Sequence, residues 1–194
     1  LAQSEAELNN KGVDLINEEN YEAALPYFDE LIDKSPDNPL YYANRAVILF
    51  NLKHYKKALA DYDYLIRTLP EESENYFQTG NVYDQMDSLK IAEYFYTKAI
   101  SLNQDHFIYY FKRGTVLLKQ MQWKKSIDDF NMAIDLNPEH DNSFHNRAIA
   151  YYKAGFKERG CEDWCQALLK GNTKSAVHLE KNCEKYPSPC LLQK

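Results

Sequence analysis

Apolar side chains recur along this chain at three- and four-residue intervals, in blocks of about fourteen residues separated by short polar breaks. That spacing predicts consecutive amphipathic helices. The blocks place helices near residues 5–18, 21–34, 39–52, 55–69, 73–86, 89–102, 107–120, 123–136, 141–154 and 157–170. An eleventh near 173–186 puts Ala176, Leu179, Cys183 and Tyr186 on one face and Lys174, Glu180, Lys181 and Glu184 on the other. Asn38 before Pro39 reads as an N-cap followed by a favoured first helical position.

The breaks repeat. Pro36 and Pro70 are 34 residues apart and Pro138 lies two further periods along. The segments LIDKSPDN, LIRTLPEE, AISLNQDH, AIDLNPEH and ALLKGNTK fall at the same step. At this period one column holds Gly12, Ala46, Gly80, Gly114 and Ala148. A second holds Ala24, Ala58, Ala92, Ser126 and Gly160. Both are small throughout, as required where two helices cross closely. A third column is aromatic (Phe28, Tyr62, Tyr96, Phe130, Trp164), and a fourth runs Leu8, Tyr42, Tyr76, Tyr110 and Phe144. Large rings are expected to fill the spaces between neighbouring hairpins.

These columns resemble the tetratricopeptide repeat family over about residues 5–174. The resemblance implies an all-α, right-handed superhelical α-solenoid of five 34-residue helix-turn-helix repeats (5–38, 39–72, 73–106, 107–140 and 141–174) in one domain. A capping helix and tail over 175–194 would cover the last stacking surface. It also implies a concave groove lined by the first helix of each hairpin, suited to an extended or helical peptide. The residues it places there include Asn9, Val13, Ala43, Asn44, Val47, Phe77, Gln78, Asn81, Phe111, Lys112, Thr115, His145, Asn146, Ile149 and Tyr152. Asn and Gln offer a peptide backbone both a donor and an acceptor, and Phe and Tyr offer apolar anchors. The other reading of these residues is a solvated polar face with partly buried rings. Asn44 and Asn146 each sit in an Asn-Arg-Ala triplet after an aromatic residue.

Some relatives hold the acidic C-terminus of chaperones in a Lys/Asn/Arg clamp. Here Asn44 fits one slot, but Asn9 and Val13 replace the first pair, and Glu74 and Gln78 the last. Glu74 would repel a carboxylate, so that ligand is not expected.

Composition narrows the function classes further. The 194 residues carry net charge −6, with 18 acidic and 9 basic side chains in 1–104 and 11 acidic and 14 basic in 105–194. An acidic chain without clustered Lys and Arg is a poor nucleic-acid binder. The split charge is either ordinary solvated helix faces or a polarity that orients a partner. Apolar runs are too short for a membrane span. No phosphate loop, dinucleotide fingerprint, nucleophile elbow or zinc-protease motif is present. His54, His106, His140, His145 and His178 are scattered over different repeats. Adjacent carboxylates such as Asp128-Asp129 and Glu71-Glu72 point different ways and read as surface charges. The expectation is no enzyme, no cofactor and no metal.

Four cysteines complete the inventory. Cys161 and Cys165 are four apart on one helix, wider than the Cys-x-x-Cys knuckle usual in zinc sites. Cys161 falls in an apolar column, where a packed free thiol is the default. The segment GCEDWCQALLKGNTKSAVHLEKNC is similar to the closing repeat of many bacterial family members, and that resemblance implies a disulfide between Cys161 and Cys183.

The expected function is a protein-binding scaffold with a protein or peptide partner. The alternative is a structural segment of a larger assembly, or of one that self-associates through its N-terminal end. Leu1-Ala2-Gln3-Ser4 fits the remnant of a secretory cleavage site or an arbitrary boundary. The expectation leans towards an exported bacterial protein, otherwise a cytoplasmic one.

Overall fold

The computed structural model describes residues 3–185 and 190. Eleven α-helices lie among them: α1 (Glu5–Asn17), α2 (Tyr21–Lys34), α3 (Pro39–Asn51), α4 (Tyr55–Thr68), α5 (Ser73–Gln85), α6 (Leu89–Leu102), α7 (Phe107–Lys119), α8 (Trp123–Leu136), α9 (Asp141–Lys153), α10 (Lys157–Leu169) and α11 (Lys174–Asn182). The helix expected over 173–186 stops at Asn182, and Tyr186 lies outside the described residues. The chain divides into two compact units, Leu1–Ser88 with α1 to α5 and Leu89–Lys194 with α6 to α11.

The starts of these helices have local causes. Ser4 caps α1 in a reciprocal box, its Oγ accepting from Glu7 N–H while Glu7 accepts from Ser4 N–H. Asn38 caps α3 through Leu40 N–H at 3.1 Å, with Pro39 at the first position.

The turns inside the hairpins share one device. Glu19, Lys53, Asp87 and Met121 stand 34 residues apart with φ between 54° and 60°, and Gly155 continues the column at φ 93°. In each case the next residue donates its N–H back into the last turn: Asn20 to Leu15, His54 to Leu49, Ser88 to Tyr83, Gln122 to Leu117 and Phe156 to Tyr151. This is the Schellman ending, which normally selects glycine at the left-handed position. Here four of the five copies hold it with an L-residue, at a cost of about 1–2 kcal/mol each. Packing of the flanking helices must outweigh that cost.

Within the N-terminal unit, Leu8, Ala24, Phe28, Leu31, Ile32, Tyr41 and Ile48 form one core cluster. Ala46, Leu49, Ala58, Tyr62, Leu65 and Val82 form the next. Burying each large side chain contributes roughly 1.5–3 kcal/mol. The small columns are explained by contact. A Cβ on Gly12 would lie 2.6 Å from Phe28 Cε2, and one on Gly114 would lie 2.9 Å from Phe130 Cε1. The aromatic of α2 or α8 therefore sits on the small residue of its own hairpin's first helix, in addition to any role between hairpins. Ser126, the one polar member of its column, donates its buried hydroxyl to the Gly114 carbonyl at 2.9 Å.

In the C-terminal unit the core closes on Ala148, Cys161, Trp164, Cys165, Leu179 and Cys183. Two disulfides cross it: Cys161 to Cys183, and Cys165 to Cys190. Both fasten α10 to the segment that follows. The family resemblance implies only the first of these bonds; the pairing of Cys165 with Cys190 is additional to it.

Candidate functional site

The residues placed on the groove face by family register fall on α1, α3, α5, α7 and α9. In the N-terminal unit Asn9, Asn44, Gln78 and Asn81 are half-buried, and Val47 is exposed. Asn81 Nδ2 donates to Gln78 Oε1 at 3.0 Å, and Gln78 Nε2 donates to Glu74 Oε1 at 2.6 Å. Asn9 Oδ1 is buried without a hydrogen-bond partner among the described residues. In the C-terminal unit Phe111, Lys112, Thr115, Asn146, Ile149 and Tyr152 are half-buried. Asn146 Nδ2 donates to Thr115 Oγ1 at 3.3 Å, bridging α9 and α7.

Two residues expected on this face are placed differently. Phe77 is 7% exposed and His145 is 9% exposed. His145 Nδ1 lies 2.7 Å from Ser175 Oγ, so the ring is committed to holding α11 against α9. Neither side chain presents a surface for a partner.

The polar feature missed from sequence lies beside the Asn-Arg-Ala triplets. Their arginines, Arg45 and Arg147, and Arg113 between them, each grip an aspartate sixteen residues on. Arg45 Nε and Nη2 reach Asp61 at 2.9 and 2.7 Å. Arg113 reaches Asp129 at 2.8 and 2.6 Å, and Arg147 reaches Asp163 at 2.7 and 2.8 Å. The remaining nitrogen turns to the preceding hairpin: Arg45 Nη1 to Asp29 at 2.9 Å, Arg113 Nη1 to Thr97 at 3.1 Å, and Arg147 Nη1 to Asn131 at 2.7 Å. One guanidinium thus ties three helices in its planar fork.

This corrects the reading of Asp128-Asp129 as two surface charges. The two carboxylates do point different ways, but Asp128 is exposed and Asp129 is buried. Burial is the largest influence on Arg113 and Arg147 and works against their charge, yet the hydrogen bonds they donate to Asp129 and Asp163, together with the attraction of nearby negative groups, hold both guanidiniums above their ordinary value. Burial also raises the carboxyls of Asp129 and Asp163, with the arginine bonds opposing it.

A second buried cluster sits under α11. His178 stacks on Trp164 with centroids 4.7 Å apart, and His145 meets His178 edge-on at 5.4 Å. Burial lowers both imidazoles below their ordinary value of 6.5. His145 is lowered further by His178 and Lys174, with Asp141 opposing, and His178 by Lys181. The unfolded chain then takes up these protons at higher pH than the folded one, so stability is full above about pH 6.5 and falls as pH drops below it. Thermal melts between pH 7.5 and 5.5 should show that fall, and His178→Gln with His145→Gln should flatten it. An unchanged slope in the double variant would assign the acid sensitivity elsewhere.

Among the described residues no group of three or more His, Cys, Asp or Glu is placed to hold a metal. No described helix is long and apolar enough to cross a membrane.

Two family models, each described as tetratricopeptide repeat, match residues 9–73 and 73–106. Together they span 9–106, just over half of the 194 residues. The chain is a tetratricopeptide-repeat protein. Its all-helical fold is shared with solved structures of the same kind. MamA from Desulfovibrio magneticus RS-1 aligns at TM-score 0.81 and 17% identity, covering 89% of this chain and 98% of that one. A crystal structure of MamA aligns at TM-score 0.77 and 18% identity, covering 85% and 96%. YrrB, described as a TPR protein with an unusual peptide-binding site, aligns at TM-score 0.74 and 20% identity over 89% of each chain. No curated protein matches the sequence.

Proposed function

We propose that this tetratricopeptide-repeat protein is a non-catalytic scaffold that holds peptide of another protein on the first-helix face of each unit. The observation that carries this reading is the Asn146–Thr115 bond. It brings α7 and α9 side chains to one common face, with Lys112, Ile149 and Tyr152 half-exposed on the same helices. Amides and rings in that arrangement suit a peptide, whose backbone needs paired donors and acceptors and whose side chains need apolar contact. The buried charges do not compete with this role, since the three Arg–Asp pairs are occupied in joining helices. YrrB, by its description, binds a peptide on the same fold.

The test combines affinity capture from native extract with peptide titration. Asn81→Ala and Asn146→Ala should each weaken a captured partner's binding roughly tenfold, with the melting temperature unchanged. Undiminished binding in both variants removes the reading.

A further inference from the structure

A pocket of about 300 Å³ opens between α9, α10 and α11. Its apolar walls include Ile149, Tyr152 and Trp164, and its charged rim is Lys153 and Lys181. Three features define what it can take. First, the formally charged groups among its described lining residues are two ammoniums and no carboxylate. Neither Lys153 nor Lys181 is paired with a carboxylate among the described residues. Second, Trp164 is 2% exposed and its indole N–H is buried with no hydrogen-bond acceptor among the described residues. An unmet buried donor is costly, and an acceptor on a ligand that reached it would offset that cost. Third, His178 stacks on Trp164 and the Tyr152 ring lies 5.4 Å from it, so the three rings together form a rigid aromatic wall. Charge and hydrogen-bond donors therefore call for an anion, and the walls call for an apolar group attached to it.

We propose that this pocket receives an acidic residue of the bound peptide together with the apolar side chain next to it, the carboxylate between Lys153 and Lys181 and the apolar group against Trp164 and Tyr152. This rests on the peptide-scaffold reading and extends it, since Ile149 and Tyr152 belong both to the first-helix face and to the pocket. A carboxylate satisfies the ammoniums through charge-assisted bonds. A nucleic-acid backbone would need a longer row of cations than two lysines supply.

The probe is a blocked hexapeptide, acetylated and amidated, with a central Glu-Leu pair between Gly-Ser flanks, titrated into ¹⁵N-labelled protein. Two indole N–H signals are expected, from Trp123 and Trp164, and Trp123→Phe assigns them. The Trp164 signal should shift with saturation, and the Trp123 signal should stay. The Gln-Leu and Glu-Gly counterparts should bind roughly tenfold more weakly, as should the Glu-Leu peptide to Lys153→Gln or Lys181→Gln. Equal response to Glu-Leu and Gln-Leu overturns the proposal. So does saturation by 3-phenylpropionate without response to any peptide, which would make the pocket a small-carboxylate site. Asn81→Ala, in the other unit, keeps the two readings apart. If it abolishes partner capture while the Trp164 signal ignores the acidic probe, the pocket proposal falls and the scaffold stands. If the Trp164 signal follows the probe but neither Asn81→Ala nor Asn146→Ala affects partner capture, the scaffold reading falls.

Discussion

Asp129→Ala is expected to cost about 3 kcal/mol, because it leaves the Arg113 guanidinium largely buried with its charge uncompensated. The aspartate side chain is 6% exposed and that of Arg113 is 22% exposed, so solvent cannot replace the lost bonds without opening the α7–α8 contact. Asp163→Ala should behave in the same way, with Arg147 at 17%. Removing both charges is a different matter. A buried ion pair contributes little net stability over apolar residues of similar volume, since the cost of desolvation offsets the attraction. The third repeat carries such a replacement in its own sequence: Thr79 stands in the arginine column and Phe95 in the aspartate column. Arg113→Thr with Asp129→Phe should therefore remain within about 1.5 kcal/mol of the parent. Urea unfolding of the two single variants and the double gives the coupling energy directly. Additive losses would mean that each residue acts alone and that the ladder has no pairwise basis.

That ladder also shows what could be read from the sequence and what could not. The 34-residue period and its small and aromatic columns located every helix to within a few residues, because packing of a repeated hairpin constrains the same positions each time. Arg45, Arg113 and Arg147 obey the same period, as do Asp61, Asp129 and Asp163, and the two columns change together in the third repeat. The signal was present. It was hidden because charged residues on helices are ordinarily solvated, and because Asp128 beside Asp129 looked like a surface dyad. The first-helix face was less legible. Register alone placed Phe77 and His145 with the half-exposed amides, but burial depends on the neighbouring element, and His145 is claimed by Ser175 of α11. The left-handed turns escaped for another reason: only Gly155 carries the residue type that announces them. Cys165 stands in a column that is otherwise polar (Asp29, Asp63, Thr97, Asn131) and Cys190 lies beyond the repeats, so no period could pair them.

Reducing the two disulfides is expected to release α11 from the rest of the C-terminal unit. The helix has nine residues, too few to persist alone in water. Its hold is partly noncovalent, through Leu179, the Trp164–His178 stack and Ser175. The bonds add to that by limiting the unfolded chain. Cys161–Cys183 and Cys165–Cys190 span 22 and 25 residues, and loops of that length contribute about 3 kcal/mol each on the chain-entropy account. The loops overlap, so their sum should fall short of twice that. Order follows from access: Cys161, Cys165 and Cys183 are fully buried, whereas Cys190 is half-exposed. Graded reductant with alkylation and peptide mapping should therefore open Cys165–Cys190 first. Hydrogen exchange over α11 should stay slow until Cys161–Cys183 opens, then accelerate sharply, and Cys161→Ala with Cys183→Ala should reproduce that state. Full protection of the α11 amides after complete reduction would show that the Trp164–His178 stack and the apolar contacts hold the cap by themselves. The disulfides would then stabilise little, and the oxidising compartment that such bonds ordinarily require would have no bearing on how the last repeat is closed.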